Sequence, residues 1–446
     1  MANKYSGFRS LFQHALALCE AGSTFTFDAR QAFPGSQLEI LPDFDNEDIV
    51  SWPLERWSLP TRFAFKYKKA FSVAANINVL MDTHVLRIHV DEEKPDQIKS
   101  VDIYTEGRKN KIFARQFILA AGGIENPRML LMSVSKAFPQ GIGNQHDNVG
   151  RFYMSHLIGS YSAINPYNRE NLLFDFEKDK EGVYCRRRWW ISPKAQHEKQ
   201  IGNIIMFLHR SMDAIGHRDP LFSGVFLAKE AMSIVHQKRL GLMYKRLKTS
   251  APAIKEHLHT IVKEGPAMLP QVFKLAKMRF AKRRLPFILP DVNSSDLYLY
   301  YQSEHFPNPQ SRITLSSETD ALGLPLPVID VQFQPLDIET VVAAHRMFAQ
   351  QFTSKHLGEI RFDEAELRSY LQDKIINFNS AAHHLGTTRM AEDPAEGVVD
   401  ANCQVHGVSN LYIAGSSVFA TGGHANPTLT ILALALKLAD HLKKQF

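Results

Sequence analysis

Asn410-Leu411-Tyr412-Ile413-Ala414-Gly415-Ser416-Ser417, then Gly422-Gly423-His424-Ala425-Asn426-Pro427-Thr428-Leu429-Thr430 and an apolar run to Lys444, reads as strand, glycine turn and helix. Working outward, the same order stands near the start of the chain. Gln116 to Ala121 is a short apolar strand, Gly122-Gly123 a turn, and Pro127 to Ser133 a helix with Pro near its first turn. Strand, glycine turn and helix form the unit that cradles phosphates and nucleotides. Between the two copies, roughly residues 150 to 375, strand-like stretches (Ile158 to Ile164, Leu297 to Ser303, Arg312 to Leu315) mix with helical ones, and no glycine turn unit recurs. The order fits an α/β nucleotide-binding domain split by an inserted substrate-facing domain.

The rest of the first portion supports this organisation. Phe8 to Glu20 has the spacing of an amphipathic helix, and Lys66-Tyr67-Lys68-Lys69-Ala70 is helical. Ile77 to Met81 and His84 to Val90 read as strands. Ser100 to Thr105 and Lys111 to Ala114 read as a hairpin around Glu106-Gly107.

Composition bounds the function. The 446 residues are 44% hydrophobic, 22% charged and 10% aromatic, with 24 Gly and 22 Pro, which excludes wholesale disorder and collagen-like sequence. Cys19, Cys185 and Cys403 lie far apart, so neither a disulfide scaffold nor a bound metal is expected, and the usage fits a cytoplasmic, reducing compartment. No apolar run reaches the length of a membrane span. Between Lys238 and Arg284, thirteen Lys and Arg face only Glu256 and Glu264, which exceeds the whole chain's net +6 and leaves the remainder acidic. That distribution argues against a nucleic-acid partner. Within the helical insert, residues 215–290, the block is either a solvated outer face or a patch for peripheral contact with an anionic membrane or acidic partner.

The chemistry concentrates in His383-His384-Leu385-Gly386-Thr387-Thr388-Arg389-Met390, followed by Asp393-Pro394 and Gly397-Val398-Val399-Asp400. Together with the stretch 405–430, with Trp57 to Phe63, Ile118 to Arg128, Asn148 to Met154 and Ser303 to Arg312, it resembles the glucose-methanol-choline (GMC) oxidoreductases, and their bacterial branch in particular. The resemblance implies an FAD/NAD(P)-binding Rossmann-like domain with an inserted α+β substrate domain. It divides the chain into 1–149, a partial FAD-binding domain, 150–375, the substrate domain, and 376–446, the C-terminal part of the FAD-binding domain.

It also implies FAD as cofactor and oxidation of a small-molecule alcohol, with electrons passing to oxygen, a quinone or a cytochrome. In the family the first His of H-x-x-G-T is the base, here His383, with His384 its weaker neighbour; the partner before the last helix is here Asn426. A neutral imidazole, with an ordinary pKa of about 6.5, can take a hydroxyl proton at neutral pH. Asn cannot titrate but can hold the substrate oxygen, and Asn426-Pro427 also reads as a helix cap followed by its first residue. The resemblance places cofactor contacts at Val85, Ala121, Gly122, Ala414, Gly415, Pro427, Thr428 and Leu429, where small residues let the backbone approach the dinucleotide. Glu304 and His384 are expected to face substrate.

The family's opening strand, G-x-G-x-x-G turn and helix have no counterpart here, the nearest being Gly141-Ile142-Gly143-Asn144-Gln145-His146. The expected Rossmann-like domain is therefore incomplete, with its first βαβ unit absent. Three explanations stand: a truncated or split reading frame, a separate chain that supplies the missing half, or an inactive relative. The rival to an enzyme is a non-catalytic remnant, a scaffold or membrane-surface protein that no longer binds FAD.

Overall fold

The computed structural model describes residues 6–24, 26–36, 38–173, 175–210, 251–265, 297–376 and 383–445, with isolated positions between 220 and 283. Most of the basic block lies outside them; its described part is the helix Ala251–Glu264 with a few single positions, among them Arg283, which donates to the Glu20 carbonyl at 2.7 Å.

The larger body is a six-stranded antiparallel sheet in the order β1 (Ile49–Val50), β10 (Trp189–Ile191), β11 (Ile204–Arg210), β12 (Leu297–Glu304), β7 (His156–Pro166) and β15 (Gly358–Arg361). Helix Pro335–Ser354 covers it. The helix starts where a capping box between Gln334 and Asp337 and a Pro in the first turn favour it, and its apolar positions fall on one stripe. Val341, Val342, Ala344, Phe348 and Phe352 are fully buried there. Phe348 meets Phe44 in a tilted contact at 4.5 Å and Trp189 edge-on at 4.8 Å. The early residues Ile40, Leu41, Phe44 and Ile49 thus belong to this core.

The second body joins the two ends of the chain. β6 (Phe117–Leu119) and β16 (Leu411–Ile413) pair in parallel, so the two glycine turns lie side by side at their carboxyl ends. A sheet of β3 (Thr83–Val90), β4 (Ile98–Thr105) and β5 (Arg108–Phe113) completes this body, with Glu106 and Gly107 both at positive φ in the expected hairpin turn. Its core gathers Ile88, Ile98, Phe117, Leu130, Val398, Val405, Leu411, Ile413 and Leu438 from both ends. A mixed α/β fold is thus observed. Two smaller sheets, β2 (Leu54–Trp57)–β9 (Tyr184–Arg187)–β8 (Glu177–Lys178) and β13 (Arg312–Thr319)–β14 (Pro325–Asp330), buttress the bodies.

Three sequence expectations are corrected. Ile77 to Met81 is not a strand: Val79, Leu80 and Met81 are 59%, 58% and 73% exposed, an apolar run with no ladder partner among the described residues. The helix expected from Pro127 begins at Gly122 and runs to Met132, with Pro127 inside it. The last helix runs Thr428–Lys443 with Pro427 as its N-cap, so Asn426 is not the cap and its side chain is used elsewhere.

Candidate active site

The turns after β6 and β16 are tied by a single side chain. Asn126, fully buried, accepts from the Ala121 amide at 2.8 Å through Oδ1 and donates through Nδ2 to Ser417 Oγ at 3.0 Å. Gly122 has φ +88° and Gly415 φ +126°, which L side chains rarely adopt. A Cβ on Gly122 would meet nothing within 4 Å, and one on Gly415 only the Asn126 amide at 4.0 Å. Backbone is therefore presented to open space at the carboxyl ends of parallel strands, where dinucleotides bind in such sheets.

The proline inside helix Gly122–Met132 has a consequence for the neighbouring loop. Pro127 has no N–H, so the carbonyl four residues back, Gly123, lacks its helical donor. Thr387 supplies it, Oγ1 donating to the Gly123 carbonyl at 2.6 Å. The loop is further laced to the 416–418 turn: Gly386 N, Thr388 N and Met390 N donate to the carbonyls of Ser416, Ser417 and Val418, and Ser416 Oγ donates to the His384 carbonyl at 2.7 Å. The H-x-x-G-T stretch is thus fixed against both glycine turns.

The approach is closest at Gly123, where an added Cβ would stand 2.4 Å from the His384 carbonyl oxygen and 2.7 Å from its Cβ. Neither atom can swing away. Gly123→Ala is expected to destabilise the protein by about 1–3 kcal/mol through overpacking, read as a lower denaturant midpoint; an unchanged midpoint would mean the loop does not press on this helix.

His383 has φ +69°, with a buried Nδ1 that has no hydrogen-bond partner among the described residues. Its ring meets His156, at the start of β7, edge-on at 5.1 Å. Burial lowers the His383 pKa, with His384 adding to the effect, and burial lowers that of His384. His156 is pushed down to about 4 by burial, then by His383. Burial raises the Tyr153 pKa to about 12, so its phenol keeps its proton, and its hydroxyl shares a hydrogen bond of 2.6 Å with His384 Nδ1. All these imidazoles are neutral at pH 7.

The segment before the last helix reaches the same strand ends. Gln302 on β12 donates from Nε2 to Asn426 Oδ1 at 3.1 Å and to the His424 carbonyl at 2.6 Å. With Oδ1 accepting, the Asn426 amide group is left to donate. Glu304 is engaged by backbone: its carboxylate accepts from Gly423 N at 3.2 Å and Asn203 N at 3.3 Å. His424 Nδ1 donates to Asn203 Oδ1 at 2.8 Å, which also accepts from Trp190. Glu304 and His156 are direct cross-strand partners, and Leu385 bridges Met154, so the His383 and Asn426 loops meet at the β7–β12 end.

Of the remaining sequence candidates, Pro427 is buried, while Thr428 is exposed and Leu429 half-buried in the first turn of the last helix. Val85 is 39% exposed on β3, opposite Ile103. Sequence reasoning missed Asn126, Thr387, Tyr153, His156, Asn203 and Gln302. The signal for Asn126, Tyr153 and Thr387 lay within stretches already singled out, whereas His156, Asn203 and Gln302 became legible only through the tertiary structure. Among the described residues, no group of His, Cys, Asp and Glu is arranged to hold a metal ion.

Parallel strands with glycine turns at their carboxyl ends thus stand beside a loop of neutral histidines in an α/β fold. This chain matches the family model described as GMC oxidoreductase over residues 307–435. It is 23% identical over 357 residues to the fructose dehydrogenase large subunit of Gluconobacter japonicus, covering 79% of this chain and 51% of that one. It is 22% identical over 376 residues to 2-methyl-1,2-propanediol dehydrogenase of Mycolicibacterium austroafricanum, covering 84% and 56%. Paromamine 6'-oxidase of Streptomyces fradiae is 24% identical over 370 residues, covering 82% and 53%. The chain thus spans about half the length of the curated relatives it matches. GMC oxidoreductases are FAD flavoproteins. Among the described residues no helix is long and apolar enough to cross a membrane.

Proposed function

We propose that this chain carries the base and the substrate-facing part of an FAD-dependent oxidoreductase acting on CH–OH groups of a small alcohol or sugar. The observation that supports it most is the lacing of the His383–Thr387 loop to both glycine turns through Asn126, Thr387 and Ser416. The open backbone at Gly122 and Gly415 fits a dinucleotide, with Ala121, Ala414, Pro427, Thr428 and Leu429 beside it and Val85 at the adenine end.

When bound, FAD supplies the acceptor for hydride from the substrate carbon. The His383 imidazole, kept neutral by burial, takes the hydroxyl proton. Asn426, held by Gln302 with its amide N–H groups free to donate, orients the substrate oxygen. Tyr153 holds His384, which lines the same loop.

The domain division 1–149, 150–375 and 376–446 is part of this reading: one core joins both ends of the chain and another underlies the middle, which also draws Ile40, Leu41, Phe44 and Ile49 from the first portion. The exposed apolar run Val79-Leu80-Met81 and Ile118, 49% exposed on the parallel pair, favour a separate chain or segment that covers them and adds to the cofactor site.

The test is an absorption spectrum of the purified chain with added FAD after free cofactor is removed. Retained flavin bands, bleached by a substrate alcohol, are expected. A protein that retains none, alone or with a supplied N-terminal dinucleotide-binding unit, would favour the non-catalytic reading.

A further inference from the structure

The oxidoreductase chemistry makes no use of the basic block. Between residues 238 and 284, thirteen Lys and Arg stand against Glu256 and Glu264 alone. The helix Ala251–Glu264 lies within it, and its packing assigns its faces. His257 is 1% exposed and shares a hydrogen bond of 3.0 Å with the fully buried Ser223, which fixes the inner face. Thr260 and Ile261 on the same side are half-buried.

Two rows of side chains stand outside that face. Ile254, Leu258 and Val262 are spaced by four residues and so lie one above another; they are 37%, 51% and 82% exposed. Lys255, His259 and Lys263 form the adjoining row, offset by one residue, and all three are exposed. The outer face of a solvated helix is polar, whereas here an aliphatic row opens outward beside a cationic one. Phe273, further along the block, is 79% exposed as well.

The two rows together select the occupant. The phosphates of a nucleic acid would match the lysines but leave Ile254, Leu258 and Val262 in water. An anionic lipid surface answers both rows: aliphatic side chains enter the boundary between headgroups and acyl chains, while lysine stems lie along it and carry their ammonium groups to the phosphates. The charge of the block adds attraction over about 10 Å at ordinary salt, without any fixed ion pair. The 14-residue helix is about 21 Å long, short of the roughly 30 Å hydrocarbon core, so it lies in the surface plane.

We infer that the helix Ala251–Glu264 docks this chain on the anionic face of a lipid bilayer, with Ile254, Leu258 and Val262 in the interface and Lys255 and Lys263 on the headgroups. Such docking needs neither flavin nor substrate and stands apart from the oxidoreductase reading.

The test is co-sedimentation of the full chain with vesicles of phosphatidylcholine alone and of phosphatidylcholine mixed with phosphatidylserine. Binding to the mixed vesicles at low salt, lost as salt rises, and none to phosphatidylcholine alone are expected. Lys255→Gln combined with Lys263→Gln is expected to weaken partitioning about thirtyfold, at about fivefold for each cation beside such a surface. Val262→Asp is expected to weaken it by about tenfold or more. Val262→Trp is expected to tighten it, with an emission blue shift on mixed vesicles beyond that of wild type, which charge attraction without insertion would not produce. All three positions are exposed, so circular dichroism is expected to be unchanged. No binding to mixed vesicles at low salt would overturn the proposal, and binding to soluble polyglutamate in its place would assign the block to an acidic protein. Equal binding to both kinds of vesicle, or binding that Val262→Asp and the double lysine variant leave unchanged, would overturn it too. If Val262→Asp unfolds, Val262→Trp decides: an emission no bluer than wild type on the vesicles overturns the docking.

Discussion

His383→Ala in flavin-loaded protein is expected to lower kcat/KM for alcohol oxidation by about 10²–10⁴-fold, the usual contribution of a positioned base, with the flavin bands retained. The retained bands separate loss of the base from loss of the cofactor site, because the lacing of this loop runs through Thr387, Ser416 and the His384 carbonyl and not through the His383 ring. The pH dependence gives an independent check. Burial lowers the His383 pKa below its ordinary value of about 6.5, and the base works in its neutral form. The acid limb of kcat/KM is therefore expected below that value, with activity level from pH 7 upward until another group titrates. A variant with full activity, or an acid limb well above pH 7, would remove His383 from the role of base.

Much of this was legible in the sequence, because the decisive elements are local. Gly415 and Gly122 stand in short apolar strands, and a glycine after such a strand specifies the turn without help from the rest of the fold. The helix Thr428–Lys443 and hairpin β4–β5 were set by their own residues in the same way. What failed was governed by tertiary packing. Ile77 to Met81 has strand-like residues, yet a strand needs a neighbour, and none pairs with it among the described residues. Pro127 marked a helix start by the ordinary rule, but here the carbonyl it frees serves Thr387, 260 positions along the chain from Pro127, and the helix begins a turn earlier. Asn426 read as a cap because Asn before Pro favours one. Gln302 competes for its side chain, and no local pattern announces a partner on a strand more than a hundred residues away.

Asn126→Ala is expected to be the most damaging substitution outside the base, lowering stability by about 2–4 kcal/mol and abolishing flavin retention. Its amide is the direct side-chain link between the turn after β6 and the turn after β16. Truncation removes the acceptor of the Ala121 N–H at the edge of the turn and takes a partner from the fully buried Ser417 Oγ; an unmet buried group costs roughly 1–3 kcal/mol, and the lost packing of a buried side chain adds to it. The two effects share one origin. The turns carry Gly122 and Gly415 in conformations that L residues rarely adopt, and the parallel ladder beneath them is only three residues long on each strand. Without Asn126 they are held together by that short ladder and by the 383–390 loop, which itself leans on them. Denaturant unfolding gives the stability change, and the flavin bands after desalting give the cofactor change. Asn126→Asp separates the two: one carboxylate oxygen can still accept from Ala121 N while the other accepts from the Ser417 hydroxyl, so the tie is retained at the expense of a buried charge. Flavin retention is expected to survive in Asn126→Asp better than in Asn126→Ala. If Asn126→Ala is within about 0.5 kcal/mol of wild type, the turns are held by the loop alone and the lacing does not organise the site.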